Sequence, residues 1–142
     1  MLAYFLFVGR ACPTDYRSDV PGESLKRVLI IEDDQAIRES IAEVLTDQGY
    51  VVAAAQDGVE GLREARAQHP NLIMLDLMMP TMNGWQFREV QRQDPSIADI
   101  PVIVISAYSD VRGPALDEAA RFPKPFDLVT LLLAVEKYAV ST

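Results

Sequence analysis

The apolar residues of this chain are concentrated in short continuous runs. Four strong runs lie at residues 28–31, 50–55, 72–75 and 100–105, and a weaker one lies at residues 121–123. Short runs of this kind are typical of strands that are buried on both faces of a parallel sheet. The pattern therefore predicts five strands.

The stretches between these runs have helical spacing, with apolar residues recurring every three or four positions. They alternate regularly with the strands, which predicts an α/β fold: a five-stranded parallel sheet with helices on both faces, (βα)5 in order. The predicted helices cover residues 37–45, residues 57–68, a stretch that starts at Trp85, a short stretch that runs to about Ala120, and a last helix with Leu128, Leu131, Leu132 and Val135 on its inner face.

The composition and charge of the chain exclude several classes of function. The chain has 142 residues, the length of one domain, and a net charge of −8. No stretch is strongly basic, which argues against direct contact with nucleic acid or an anionic membrane. One cysteine, Cys12, excludes a disulfide framework, and one histidine, His69, leaves no material for a histidine-rich metal site. No run approaches the roughly 20 apolar residues of a membrane-spanning helix.

Residues 1–24 differ from the rest of the chain, because an apolar segment at residues 2–8 is followed by a loop-like stretch. A signal peptide is one interpretation, but no Lys or Arg precedes the segment, and Arg10 stands where small residues should precede a cleavage site. We favour a flexible N-terminal extension, which a misplaced start codon would also produce. Residues 25–142 then form the domain.

Polar side chains follow the predicted strands at their carboxyl ends. Glu32 and Asp33 come after the first strand, Asp76 after the third, Ser106 after the fourth and Lys124 after the fifth. In a sheet ordered 2-1-3-4-5, the strand order reverses between strands one and three, where open parallel sheets bind ligands. The acidic residues are therefore expected to converge there.

Converging carboxylates repel one another, and a divalent cation relieves that repulsion. Oxygen ligands favour Mg²⁺, with Mn²⁺ as an alternative. Lys124 supplies a positive charge suited to phosphate, and Ser106 supplies a hydroxyl. Together these groups describe a phosphoryl-transfer site, in which a carboxylate can itself be the nucleophile.

The motifs that carry this chemistry resemble those of a known family. They are Val28-Leu29-Ile30-Ile31-Glu32-Asp33, Leu75-Asp76-Leu77-Met78-Met79-Pro80, Ser106-Ala107 and Lys124-Pro125-Phe126. Residues 26–138 resemble the receiver domain of two-component response regulators, which has a flavodoxin-like fold with strand order 2-1-3-4-5. The four motifs occur in the family's order, each on the expected element.

The resemblance implies a role for each matched residue. Asp76 would accept a phosphoryl group from a histidine kinase or a histidine phosphotransfer protein. Asp33, Asp76 and the backbone carbonyl of Met78 would bind Mg²⁺, with Glu32 acting through water. Ser106, Ala107 and Lys124 would bind the phosphoryl group, Met78 and Tyr108 would tune its lifetime, and a cis bond would precede Pro125.

The chain departs from the family between Ser106 and Lys124. The interval is 18 positions, fewer than the family usually has, and it contains Gly113-Pro114, which are poor helix formers. Receivers usually place a switching Tyr or Phe three residues before the lysine, where this chain has Arg121. Phe122 comes one residue later and would face the opposite side of a regular strand, unless a bulge re-aims it.

We interpret the chain as a stand-alone cytoplasmic receiver. It would signal through contacts with a downstream protein that the sequence does not name; a homodimer stays open, and nucleic-acid and membrane contacts are not expected. Only residues 139–142 follow the last predicted helix, so no DNA-binding domain is expected. No enzymatic activity is expected beyond self-phosphorylation from a donor and slow self-dephosphorylation.

Two alternatives stay open. One is an adaptor or dimerisation module of the same fold, in which phosphorylation is uncoupled from shape. The other is a phosphohydrolase with an aspartyl-phosphate intermediate. Such enzymes commonly place an acid two residues after the nucleophile, where this chain has Met78, and that difference argues against the enzyme.

Overall fold

A computed structural model describes residues 25–107 and 116–139. The N-terminal extension, Tyr108 and Gly113-Pro114 lie outside the described residues. The described residues contain five strands and four helices, in this order: β1 (Arg27–Ile31), α1 (Gln35–Asp47), β2 (Val51–Ala55), α2 (Gly58–Gln68), β3 (Leu72–Asp76), α3 (Gly84–Gln93), β4 (Val102–Ser106), β5 (Ala120–Pro123) and α4 (Leu128–Tyr138).

The strands form one parallel sheet with the order β2-β1-β3-β4-β5, which confirms the predicted fold and strand order. Strand β1 lies between β2 and β3, with Ile31 paired to Ala55 on one side and to Leu75 on the other. The carboxyl ends of β1 and β3 are therefore neighbours, and the residues that follow them share one edge of the sheet.

The continuous apolar runs are explained by burial of both sheet faces. Alternate residues of a strand point to opposite faces. One face, with Leu29 and Ile73, packs against Phe87 of α3 and neighbouring residues of α2. The other face, with Ile30, packs against Leu131 of α4 and neighbouring residues of α1. Since β1, β3 and β4 each contribute to both cores, almost every position of these three strands is buried.

Side-chain caps determine where the helices begin. Asp34, Asp57, Asn83 and Asp127 each accept a hydrogen bond from the backbone N–H three residues later, as N-cap residues do. Asp34 therefore serves the start of α1 and is separate from the acid pair before it. The chain turns away from the sheet edge directly after Asp33.

The end of the β4–β5 connection differs from the prediction. A helix was expected to run to about Ala120, but residues 116–119 are not helical. Asp117 has φ +54°, a left-handed conformation that interrupts a right-handed helix, and the N–H of Ala119 donates to the carbonyl of Val102 at 2.8 Å. The chain is thus already joining the sheet edge at these positions.

Within residues 25–107 and 116–139, no helix has the length and apolar character needed to cross a bilayer.

Candidate functional site

Three carboxylates meet at the sheet edge formed by β1 and β3. Glu32 and Asp33 follow β1, Asp76 ends β3, and one oxygen from each of these side chains lies within 4.8 Å of the others. Glu32 and Asp76 are buried, whereas Asp33 is exposed. The predicted convergence of these residues is therefore present, with one acid open to solvent.

Lys124 lies against the buried acids. Its Nζ is 2.7 Å from Oε1 of Glu32 and 3.4 Å from Oδ2 of Asp76. Its backbone N–H donates to the carbonyl of Ser106 at 2.7 Å, which ties the loop after β5 to the end of β4. The bond from Lys124 to Pro125 is cis, as the resemblance implied.

Glu32 contacts both the start of α1 and Lys124. Its Oε2 accepts a hydrogen bond of 3.0 Å from the N–H of Asp34, and its backbone carbonyl accepts one of 2.8 Å from Arg38. Its buried Oε1 faces the ammonium of Lys124 at 2.7 Å. In this structure Glu32 is thus a direct ion-pair partner of Lys124.

The positive charge of Lys124 is not enough to keep the buried carboxyl group of Asp76 fully ionised at neutral pH. Burial and then the neighbouring Glu32 raise the pKa of Asp76 to about 7, against the opposing effect of Lys124. Burial alone would lower the pKa of Lys124, but its contacts with Glu32 and Asp76 outweigh this effect and raise its pKa above the ordinary value. Lys124 is therefore charged at neutral pH, and a further cation is needed for Asp76 to be fully ionised there.

The donor set fits a hard divalent cation. Asp33 and Asp76 supply carboxylate oxygens, and Glu32 is the third acid of the cluster. Mg²⁺ is commonly held by one or two carboxylates and several waters, and an exposed Asp33 leaves room for that water. The residues present are thus compatible with Mg²⁺ or Mn²⁺.

The remaining predicted residues surround the acids. Ser106 is buried at the end of β4, one position beyond the partner of Asp76 in the sheet, and Ala107 is exposed beside it. Met78 is 47% exposed, and its N–H donates to Oδ1 of Asp76 at 3.3 Å. Tyr108 lies outside the described residues.

Arg121 and Phe122 lie on opposite faces of β5. They pair in regular register with Val104 and Ile105, so no bulge re-aims Phe122. Phe122 packs against the core beneath α1 and α4. Arg121 instead pairs with Glu118, with 2.7 Å between Nε and Oε2. The position of the family's switching aromatic is therefore taken by a charged residue that is engaged in an ion pair.

Sequence reasoning missed two features near the site. Arg88 and Gln91 are polar residues of α3 that the structure buries. Their three-residue spacing next to the core residue Phe87 was the available signal, because it places both on an inward-facing stripe. The pairing of Glu118 with Arg121, also three residues apart, was not anticipated either.

Comparisons with known proteins agree with the geometry. The sequence model of the response regulator receiver domain matches residues 28–136. A curated relative, response regulator MprA of Mycobacterium ulcerans, is 41% identical over 111 residues, which are 75% of this chain and 47% of that protein. The chain thus spans about half the length of the curated relatives it matches.

Solved structures are similar as well. The chemotaxis response regulator CheY4 of Vibrio cholerae is 28% identical with a TM-score of 0.74, covering 81% of this chain and 99% of that one. The signal receiver domain of a signal transduction histidine kinase from Syntrophus aciditrophicus is also 28% identical with a TM-score of 0.74, covering 80% and 89%. With the family match, the sheet order and the acidic edge in agreement, this chain belongs to the response regulator receiver domain family.

Proposed function

We propose that the chain accepts a phosphoryl group on Asp76 from the phosphohistidine of a histidine kinase or a histidine phosphotransfer protein. One observation carries the proposal: the buried carboxylate of Asp76 lies beside a lysine and two further acids at the carboxyl edge of β1 and β3. A carboxylate in this setting is a nucleophile beside a cation-binding site.

The bond changes are those of an in-line transfer. An oxygen of the Asp76 carboxylate attacks phosphorus, the P–N bond to the donor imidazole breaks, and the leaving ring nitrogen takes a proton from solvent. An acyl phosphate on Asp76 results. Mg²⁺, when bound, would supply positive charge to the phosphoryl oxygens while held by Asp33, Asp76 and the Met78 carbonyl, with Glu32 acting through water.

The chain's own residues prepare this transfer. Lys124 is held within ion-pair distance of Asp76 by its contact with Glu32, so its ammonium charge is in place before the phosphoryl group arrives. Ser106 ends β4 at the same edge and Ala107 follows it; the hydroxyl of Ser106 and the backbone N–H of Ala107 would bind phosphoryl oxygens. Met78, which is exposed, and Tyr108 would set how readily water reaches the acyl phosphate, and hence its lifetime.

The outcome of phosphorylation is proposed to be a change in protein contacts. The net charge of −8 does not favour nucleic acid, and the transfer from a kinase would take place in the cytoplasm. The downstream protein, or a second copy of the chain, would read the phosphorylated state. Turnover of external substrates is not proposed, since the residue two positions after Asp76 is Met78 and not an acid.

A second candidate keeps the fold and uncouples it from phosphorylation. The observation in its favour is the ion pair of Arg121 with Glu118, which replaces the family's switching aromatic. In this case Asp76 would accept a phosphoryl group without a change of shape, and the chain would act as an adaptor. Measuring acceptance and shape change separately distinguishes the two.

Intact-protein mass spectrometry after incubation with Mg²⁺ and acetyl phosphate tests acceptance. We expect the parent and the matched control Asp47→Asn, which alters an exposed aspartate of α1, to gain one phosphoryl mass. Asp76→Asn and the parent in excess EDTA should not. If a phosphorylated histidine kinase and acetyl phosphate both leave the parent unmodified, the proposed function is wrong.

A further inference from the structure

Arg88 is a charged residue in the core of the molecule. It lies on the inner side of α3, is 7% exposed, and has no carboxylate within ion-pair distance among the described residues. Burial lowers the pKa of its guanidinium, although Asp117 and Glu118 oppose this effect. Burying a guanidinium is costly, and an apolar side chain of similar length would avoid that cost. The hydrogen bonds that Arg88 makes must therefore offset it.

The guanidinium ties α3 to the end of the β4–β5 connection. Its Nε donates to the carbonyl of Leu116 at 2.8 Å, and its Nη2 donates to the carbonyl of Asp117 at 3.1 Å. The Leu116 side chain is also buried in the core that contains Phe87 of α3. Backbone and side chain of this segment are therefore both attached to one helix.

Gln91 extends the network to the start of β4. Its Oε1 accepts a 2.8 Å hydrogen bond from Nη1 of Arg88. Its Nε2 donates to the carbonyls of Ile97 and Ile100 at 2.9 and 3.1 Å, just before β4 begins. The network thus links α3 to both ends of the chain segment that contains Ser106.

The other end of α3 lies against the acceptor residue. A Cβ at Gly84, the first residue of the helix, would lie 2.7 Å from the carbonyl oxygen of Asp76 and 2.8 Å from Cα of Leu77. The N–H of Gly84 also donates to the Leu77 carbonyl at 2.9 Å. Helix α3 therefore contacts the backbone of Asp76 at its first residue and the β4–β5 connection one turn later.

The aromatic residue that usually switches in receivers is replaced by Arg121 in this chain. Arg121 is held by Glu118, two residues after Leu116, and Phe122 is packed on the opposite face of β5. A rotamer change of an aromatic at position 121 is thus not available to this chain. The described end of the β4–β5 connection, at Leu116 and Asp117, is instead hydrogen-bonded directly to α3 through Arg88.

We propose that Arg88 is a positioning residue that couples the β4–β5 connection to α3, so that α3 responds when Asp76 is phosphorylated. This inference rests on the proposed function, because the response begins with acceptance of a phosphoryl group. It assigns the read-out to α3 and its exposed residues Gln86 and Glu89.

The test combines phosphoryl occupancy, from intact mass, with backbone amide chemical shifts of residues 85–93, compared between Mg²⁺ alone and Mg²⁺ with acetyl phosphate. We expect the parent to show shift changes along α3. Arg88→Met should keep at least half of the parent's occupancy and lose at least two thirds of the α3 shift change. Arg88→Lys, which keeps the charge but cannot make all three hydrogen bonds, should fall between them.

Arg63→Met, an exposed arginine of α2 outside the residues whose shifts are measured, is the matched control and should respond as the parent does. A parent that is phosphorylated without any shift change in α3 overturns the inference and leaves the proposed function standing. So does Arg88→Met with an undiminished response. A parent that accepts no phosphoryl group overturns both. The first of these outcomes needs no variant, so the test holds even if Arg88→Met fails to fold.

Discussion

The β1–β3 side and the β4–β5 side of the candidate site differ in how closely their residues follow the receiver pattern. On the β1–β3 side, three carboxylates and a lysine lie within a few ångströms of one another, and each occupies the position that the receiver pattern assigns to it. On the β4–β5 side, Ser106 and the cis bond after Lys124 follow the pattern, but Arg121 takes the place of the switching aromatic. The proposed acceptance of a phosphoryl group and the proposed transmission of that event therefore depend on different residues.

The difference also appears in the hydrogen bonds. The acidic side is organised by short-range contacts between charged groups, with Glu32 fully buried beneath Lys124. The other side is organised by Arg88 and Gln91, which donate mainly to backbone carbonyls. Removing a residue on the first side should alter chemistry and stability together, whereas removing one on the second should alter transmission.

The largest effect on stability is expected from Lys124→Met. This change removes the ammonium from a pair in which the Glu32 side chain is fully buried. An uncompensated buried charge typically costs about 3–5 kcal/mol. Urea unfolding should show the loss, and Lys137→Met on the exposed surface of α4 should stay within about 0.5 kcal/mol of the parent. Equal effects of the two changes would mean that the buried pair has no special role.

Mg²⁺ should stabilise the parent more than any variant of the acidic side. At 100 times its dissociation constant, a ligand of the folded state adds about 2.7 kcal/mol to the free energy of unfolding. Asp33→Asn and Asp76→Asn should each reduce the Mg²⁺-dependent rise in melting temperature at pH 7.5, while Asp47→Asn should not. A rise that survives in Asp33→Asn and Asp76→Asn would place the cation elsewhere.

The free energy of unfolding should depend on pH because the pKa of Asp76 is raised in the folded protein. Between pH 3.8 and about 7 the folded, metal-free protein holds a proton on Asp76 that the unfolded chain has released. The free energy of unfolding should therefore fall as pH rises through this interval, relative to Asp76→Asn, by roughly 1 kcal/mol or more. Urea titrations in EDTA at pH 4.5 and pH 7.5 measure the difference. Parallel pH profiles for the two proteins would contradict the raised pKa.

The smallest effect is expected from Arg121→Tyr, which restores the residue type usual in the family. Loss of the partly exposed pair with Glu118 should cost less than about 1 kcal/mol, and phosphoryl occupancy should match the parent. The α3 shift changes should persist, because the contacts of Arg88 do not include position 121. Loss of those changes in Arg121→Tyr would transfer the coupling from Arg88 to Arg121.

Much of the fold and the acidic site was predictable because local sequence signals point directly at them. Continuous apolar runs such as 72–75 can only be satisfied by burial of both faces, and the acids stand where those runs stop. The parallel topology then brings Glu32 and Asp76 to one edge without further information.

The missed contacts depend on tertiary packing. The sequence places Arg88 on α3, but its partners Leu116 and Asp117 are 28 and 29 positions away. Which carbonyls a long polar side chain reaches is decided by how the helix packs on the sheet, and no local pattern records it. The prediction of a helix up to Ala120 failed for a similar reason, since Asp117 is left-handed and the N–H of Ala119 already bonds to Val102 of β4.

The most direct test of the central claim identifies the phosphorylated residue. The acyl phosphate is formed with acetyl phosphate and Mg²⁺ and then reduced with borohydride, which converts a phosphorylated aspartate to homoserine, and the modified peptide is sequenced by mass spectrometry. We predict modification of Asp76 alone. Modification of Asp33 or of another acid in its place, with Asp76 unchanged, would contradict the assignment of the buried carboxylate as the acceptor.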